Sequence, residues 1–227
     1  MKAPFSPSNR DCSACNRLHI SVFVFVFLSV CLLRAAEEPL KVIVKETPVR
    51  AITPPVAQTM PFYIFNNAIV PPVRNFAASG YMGDIPDIKV VGGYKNLHQE
   101  NCPTIKITYL ASGPMGWSGV YWQNPPNNWG ALDGGYNLSN AKKLSFWARG
   151  DKGGEVVEFR IGGTLNNFPD TANLSTGDLR LTNAWTQYVI DLTGADLRYV
   201  SAGFGFIMKQ ETNPQMFTFY LDDIKYE

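Results

Sequence analysis

Phe217-Thr-Phe-Tyr-Leu-Asp-Asp-Ile-Lys-Tyr-Glu227 is the stretch on which the fold turns. Aromatic and branched residues dominate it and neither Gly nor Pro interrupts it, so it predicts a β-strand. Two carboxylates, Asp222 and Asp223, stand in its middle. Side chains alternate across a strand, which sends one Asp to each face, and one face is core. A buried carboxylate needs a partner charge, a set of N–H donors or a metal ion. The alternative is an exposed strand end carrying two solvated acids.

Upstream, short runs of the same kind alternate with Gly, Pro, Asn and Asp clusters: Phe62–Asn66, Ile88–Val91, Thr104–Leu110, Trp117–Gln123, Lys142–Arg149, Glu155–Ile161, Asp178–Leu181, Trp185–Leu192 and Ala202–Lys209. No window carries an apolar period of 3.6 residues. Many short strands separated by turn signals predict an all-β fold, a two-sheet antiparallel sandwich. Period two then sorts the faces. Leu144, Phe146 and Ala148 oppose Ser145, Trp147 and Arg149; Val157, Phe159 and Ile161 oppose Val156, Glu158 and Arg160; Phe204, Phe206 and Met208 oppose Gly205, Ile207 and Lys209. The first set of each pair reads as core. The second mixes charge with an indole, which suits a ligand face; a loop packed over Trp147 is the other reading.

The N-terminus reads as an export signal. Lys2, Arg10 and Arg17 precede an apolar run, Leu18–Leu33, and Arg34-Ala-Ala36 follows it. The run is short for a membrane span of about 20 residues. Residues 1–36 are therefore set apart as a signal peptide, 37–60 as a flexible Pro-containing tether, and 61–227 as one β-sandwich domain. Without the signal, 16 basic and 18 acidic residues remain, a net charge near −2. No basic patch argues for nucleic acid or an anionic membrane surface. Cys12, Cys15 and Cys31 leave with the signal, so Cys102 has no internal disulfide partner and core packing must hold the fold.

Gly116-Trp-Ser-Gly-Val-Tyr-Trp-Gln-Asn-Pro-Pro-Asn-Asn-Trp-Gly130 concentrates three Trp and one Tyr. Trp117 and Tyr121 share one strand face, Trp122 takes the other, and Trp129 follows the Pro125-Pro126 turn. Aromatic planes hold the C–H faces of sugars, and charged or amide groups hold their hydroxyls. Candidate ligand contacts are therefore Trp117, Tyr121, Trp122, Trp129, Trp147, Arg149, Glu158 and Arg160, with one of Trp117 and Trp122 expected in the core. No catalytic residue is assigned. Glu155 and Glu158 point to opposite faces, as do Asp222 and Asp223, which leaves no carboxylate pair at glycosidase spacing. After the signal, His98 is the one histidine available for a triad or a zinc site.

Ser79-Gly-Tyr-Met-Gly-Asp84, the Trp-rich stretch, Leu144-Ser-Phe-Trp-Ala-Arg-Gly150, Gly153–Gly163, Trp185-Thr-Gln-Tyr-Val-Ile-Asp-Leu192 and Phe219–Glu227 resemble a family of exported bacterial proteins of undefined role. That family is similar in turn to the galactose-binding-like jelly roll and its carbohydrate-binding modules. The resemblance implies a jelly-roll sandwich that is secreted or lies in the periplasm or envelope. It implies binding of a polysaccharide or oligosaccharide; with no catalytic pattern in the sequence, a non-catalytic monomer is expected. A structural calcium ion on Asp222 is also implied, and Asp84 of the Gly83-Asp84 loop is the expected second ligand. The alternatives are a polysaccharide hydrolase or lyase on the same scaffold, using Glu158 and Arg160, and an envelope protein-interaction domain.

Overall fold

The structure, a computed structural model, describes residue 50 and residues 53–66, 75–94, 98 and 104–227. The expectations for residues 1–36, for most of 37–60 and for Cys102 fall outside them. Eleven strands lie among the described residues: β1 Phe62–Phe65, β2 Ala77–Gly83, β3 Ile88–Tyr94, β4 Thr104–Tyr109, β5 Trp117–Gln123, β6 Lys143–Gly150, β7 Val156–Gly162, β8 Asn173–Arg180, β9 Thr186–Asp191, β10 Ala202–Lys209 and β11 Phe217–Tyr226. One 3-10 turn, Ile85–Asp87, joins β2 to β3.

All strand pairings are antiparallel. One sheet runs β3-β4-β11-β6-β9, with β1 also paired to β11, and the other runs β2-β5-β10-β7-β8. This is the two-sheet antiparallel jelly-roll sandwich that the strand pattern predicts. Its core is aromatic. Phe146 lies 4.5 Å from Phe159 and 5.3 Å from Phe204 between ring centroids, and Phe206 meets Phe219 edge-on at 5.2 Å. Leu144, Phe146, Ala148, Val157, Phe159, Ile161, Phe204, Phe206 and Met208 are all buried, as the period-two reading places them.

The Asp pair resolves differently from its alternation. Leu221 and Ile224 are both fully buried, so two residues stand between successive inward positions of β11. Asp223 takes φ 45°, in the left-handed region that Asp tolerates, and the register of β11 against β6 shifts between Asp222 and Lys225. This β-bulge turns both carboxylates out of the core. Asp222 Oδ2 lies 2.9 Å from His98 Nδ1, and its Oδ1 accepts the Asp223 N–H at 2.8 Å. Asp223 accepts Asn66 Nδ2 at 2.6 Å and Lys225 Nζ at 3.0 Å. Burial pushes the Asp222 carboxyl above its usual value, and the His98 hydrogen bond pulls it part of the way back.

The end of the segment read as a tether is bound to the sandwich. Ala57 forms a parallel bridge with Asn137, and the Gln58 N–H donates to Asn137 O at 2.8 Å. Asn137 Nδ2 donates to Pro55 O at 2.7 Å and Asn140 Nδ2 to Gln58 O at 2.9 Å. These bonds use main-chain groups of the strap and amides some 80 residues away, so no local pattern announces them. Residues 55–58 are therefore hydrogen-bonded to the sandwich.

Candidate functional site

Strands β6 and β7 are consecutive, but they belong to different sheets. Trp147 and Arg149 therefore face out from the sheet of β11, while Glu158 and Arg160 face out from the sheet of β10. The single ligand face expected from the sequence is two opposite surfaces. Period two tells which side of a strand is core; it does not tell which sheet the strand joins.

On the β11 side, Trp147 is partly covered. Its ring lies 4.6 Å from the His98 ring, which lies 4.8 Å from Trp185 on its other contact. Arg149 stands over Tyr220 at 5.2 Å, and Tyr220 donates to Asp151 at 3.0 Å. Of the readings weighed for Trp147, packing against a residue of the β3–β4 connection is what its surroundings match.

On the β10 side the strand register builds three rows. Gly80, Tyr121, Gly205 and Arg160 are neighbours, as are Met82, Gly119, Ile207, Glu158 and Asp178, and Trp117 pairs with Lys209. Gly205 is required: a Cβ there would stand 2.4 Å from the Tyr121 ring, which lies across it. Lys209 Nζ sits 3.3 Å from Glu158 Oε2 and 2.8 Å from Asp178 Oδ1, and Arg160 Nε sits 3.4 Å from Glu158 Oε1. The hydrogen bond to Asp178, reinforced by Glu158, pushes the Lys209 ammonium up against a smaller opposing effect of burial. A cavity of about 450 Å³ opens over this network, lined also by Met115, Trp117, Ile207 and Glu211. Lys209 and Asp178 were not among the residues singled out from the sequence; the alternation of β10, which turns Lys209 away from the core, was the available signal.

The four aromatic candidates of the Trp-rich stretch separate. Trp122 is 4 % exposed and packs on Phe204 and Phe206 at 5.6 and 5.9 Å, so it packs in the core. Tyr121 is buried, and burial pushes its hydroxyl up to about 12. It serves as a floor for Trp129, whose ring meets it edge-on at 6.1 Å. Trp117 and Trp129 keep partly open rings. Trp129 rides on a loop organised by Asn128, whose side chain accepts the Gly130 and Leu132 N–H groups at 3.1 Å each and donates to Leu132 O at 2.9 Å. A second loop props it: Asn166 Nδ2 donates to Trp129 O at 2.9 Å and the Phe168 N–H to Gly130 O at 2.8 Å.

Trp117 is placed by two carboxylates. Asp84 accepts the Met115 and Gly116 N–H groups at 3.1 and 2.9 Å. Asp87 accepts the Ser112 N–H, the Ser112 hydroxyl and the Gly113 N–H at 2.7, 2.6 and 2.8 Å. Together they wrap the loop that feeds β5, and Gly113 is needed because a Cβ would stand 2.2 Å from the Asp84 carboxyl carbon.

The two acids of the expected calcium pair have other partners in the structure. Both Asp84 oxygens are committed to loop N–H groups, and Asp222 faces His98 from the other sheet. Among the described residues no three His, Cys, Asp or Glu side chains group closely enough to hold a metal ion. Asp84 is a loop organiser.

Burial pushes the Asp87 carboxyl up, but its three hydrogen bonds outweigh that and hold it below the usual carboxylate value. A depressed native pKa gives stability that is present above the unfolded value of about 3.9 and is lost as pH falls through the native value. Asp87→Asn should therefore lower unfolding free energy at pH 7 by about 2 kcal/mol and flatten the loss of stability below about pH 4. Urea unfolding at pH 7 and pH 3 checks this; equal curves for variant and wild type at pH 7 would show that the clamp contributes nothing.

No protein-family model and no curated protein sequence matches the chain. Solved structures do. A crystal structure of a family 30 carbohydrate-binding module is 16% identical, with a TM-score of 0.52, over 74% of this chain and 99% of that one. The family 30 module of a cellulosomal cellulase of Clostridium thermocellum is 16% identical, with a TM-score of 0.51, over 74% and 98%. At this identity the likeness is one of fold: the chain shares the jelly-roll sandwich of these modules over nearly their whole length.

Proposed function

We propose that this chain is a non-catalytic carbohydrate-binding domain. It holds a polysaccharide or oligosaccharide on the outer face of the β2-β5-β10-β7-β8 sheet. The observation that carries the reading is the pairing, on that one face, of two partly open indoles with a network of fixed charges. Trp117 and Trp129 offer planes to sugar C–H faces, and such rings cost little conformational entropy to present. Arg160, Glu158, Lys209 and Asp178 are already locked in mutual ion pairs, so they meet hydroxyls as oriented donors and acceptors. The solved structures similar in fold carry the name of carbohydrate-binding modules, which supports the same reading.

The charge network also argues against a hydrolase. Glu158 and Asp178 are opposed across β7 and β8, as an acid and base pair would be. Lys209 Nζ stands between their oxygens, where a glycosidic oxygen or an attacking water would have to be. The two acids are built to hold a lysine. The same reading takes residues 1–36 as an export signal, so the domain works outside the cytoplasm, with the mature protein starting near Glu37.

Retention of the mature protein on cellulose, xylan and mannan, combined with assay of reducing-sugar release, tests the proposal. Retention on at least one of them without release is the expected result. Release of sugar would establish an enzyme. Absence from every glycan would leave the protein-interaction alternative standing in its place.

A further inference from the structure

We infer that Arg50, in the N-terminal strap, is a positioning residue of this binding face: it staples together the two loops that hold Trp129. The inference rests on the glycan-binding reading above for what Trp129 does, and on geometry alone for the staple.

Arg50 reaches loops 83 and 119 residues away in sequence. Its Nε lies 3.2 Å from Asp133 Oδ1, and its Nη1 donates to Pro169 O at 2.5 Å. Its guanidinium carbon lies 4.1 Å from the Tyr199 ring centroid and 5.8 Å from that of Phe168. Asp133 stands four residues beyond Trp129 on the same loop. Pro169 belongs to the loop whose Asn166 and Phe168 hold Trp129 O and Gly130 O. One planar fork therefore bridges both loops and lies on an aromatic floor.

The Arg50 side chain is 15% exposed, whereas that of Asp133 is 45% exposed. An isolated pair so open on one side is worth little. The arrangement gains from what Arg alone brings, namely two donors in a fixed plane and a face that stacks on Tyr199. Lysine has the charge and lacks both. Farther along the strap, Ala57 and Gln58 are held by the Asn137 and Asn140 contacts. Phe168 and Tyr199 are buried, yet neither belongs to the main hydrophobic cluster between the sheets. Loss of the staple should loosen the loops and leave the sandwich intact, which separates a positioning role from general support of the fold.

The test uses the mature chain carrying Arg50→Ala, Arg50→Lys, Asp133→Ala or both alanine changes. Amide hydrogen exchange is read at 124–134 and 163–170 and compared with β5 and β10. Affinity is read by gel retardation in hydroxyethylcellulose and in soluble xylan. Arg50→Ala should speed exchange in both loops by about tenfold while β5 and β10 keep their protection. It should weaken retardation about fivefold in whichever polymer retards the wild type. Arg50→Lys should not restore either value, and the double variant should be no worse than Arg50→Ala alone, because both changes break one unit. Unchanged loop exchange in Arg50→Ala overturns the staple. Faster exchange with unchanged affinity overturns its link to binding. Should neither polymer retard the wild type while loop exchange still rises, the staple stands and the assignment of Trp129 to a glycan falls.

Discussion

Trp122→Ala is expected to lower the unfolding free energy by about 3–5 kcal/mol, the cost of emptying an aromatic-sized space in a packed core. Trp122 is 4 % exposed and lies against Phe204 and Phe206, which in turn pack toward Phe146 and Phe219. The indole thus stands at the start of a chain of rings through the sandwich, and the surrounding strands, tied on both sides of β5 by β2 and β10, have little freedom to close the gap. A domain of ordinary stability has about 5–15 kcal/mol in total, so the variant should approach the edge of folding. Trp122→Phe keeps a ring in the site and should cost about half as much. Urea unfolding of both variants decides it. A Trp122→Ala protein within about 1 kcal/mol of the wild type would show that Trp122 is not a core residue, and would return it to the candidates for ligand contact.

The fate of Trp122 shows what the sequence discloses. Its alternation with Trp117 and Tyr121 puts it on the opposite face of β5, and that reading holds. The same rule places Phe146, Phe159 and Phe204 inward and Trp147 and Glu158 outward, again correctly. Alternation is a property of one strand, fixed by backbone geometry, and so is written locally. Sheet membership is not local. The connection from β6 to β7 crosses from one sheet to the other, and no residue in it says so; Trp147 and Glu158 therefore read as neighbours and lie on opposite surfaces.

Strand β2, Ala77-Ala-Ser-Gly-Tyr-Met-Gly83, escaped the sequence reading for a different reason. Its small residues show no alternation, because the strand lies close against β5: a Cβ on Gly80 would stand 2.7 Å from the Gln123 side chain. The Asp222-Asp223 pair misleads in its turn through the bulge. An extra residue at φ 45° breaks the period of two on which the argument rested. Lys209 and Arg50 meet their partners only after folding, at separations of 31 and 83 residues, where register and loop closure decide contact.

Trp117→Ala and Trp129→Ala are each expected to weaken glycan affinity by about 2 kcal/mol, roughly 30-fold, and the two together to abolish retention. The two rings stand at different ends of the charged face. Trp117 is placed by the loop that Asp84 and Asp87 wrap, and Trp129 by the loops that Asn128, Asn166 and Arg50 hold. Each is fixed by its own framework, so loss of one should leave the other in position, and their effects should add within a few tenths of a kcal/mol. Neither ring fills core space, so both variants should melt within a few degrees of the wild type, roughly the shift that 1 kcal/mol produces. Trp147→Ala supplies the contrast. Its ring packs against His98 on the opposite sheet, so it should lower the melting temperature and leave retention unchanged. Affinity electrophoresis and thermal melts on the three variants read both properties. If Trp147→Ala loses retention while Trp117→Ala and Trp129→Ala keep it, the ligand face is the outer surface of the β11 sheet, and the Glu158–Lys209 network is a structural ion cluster.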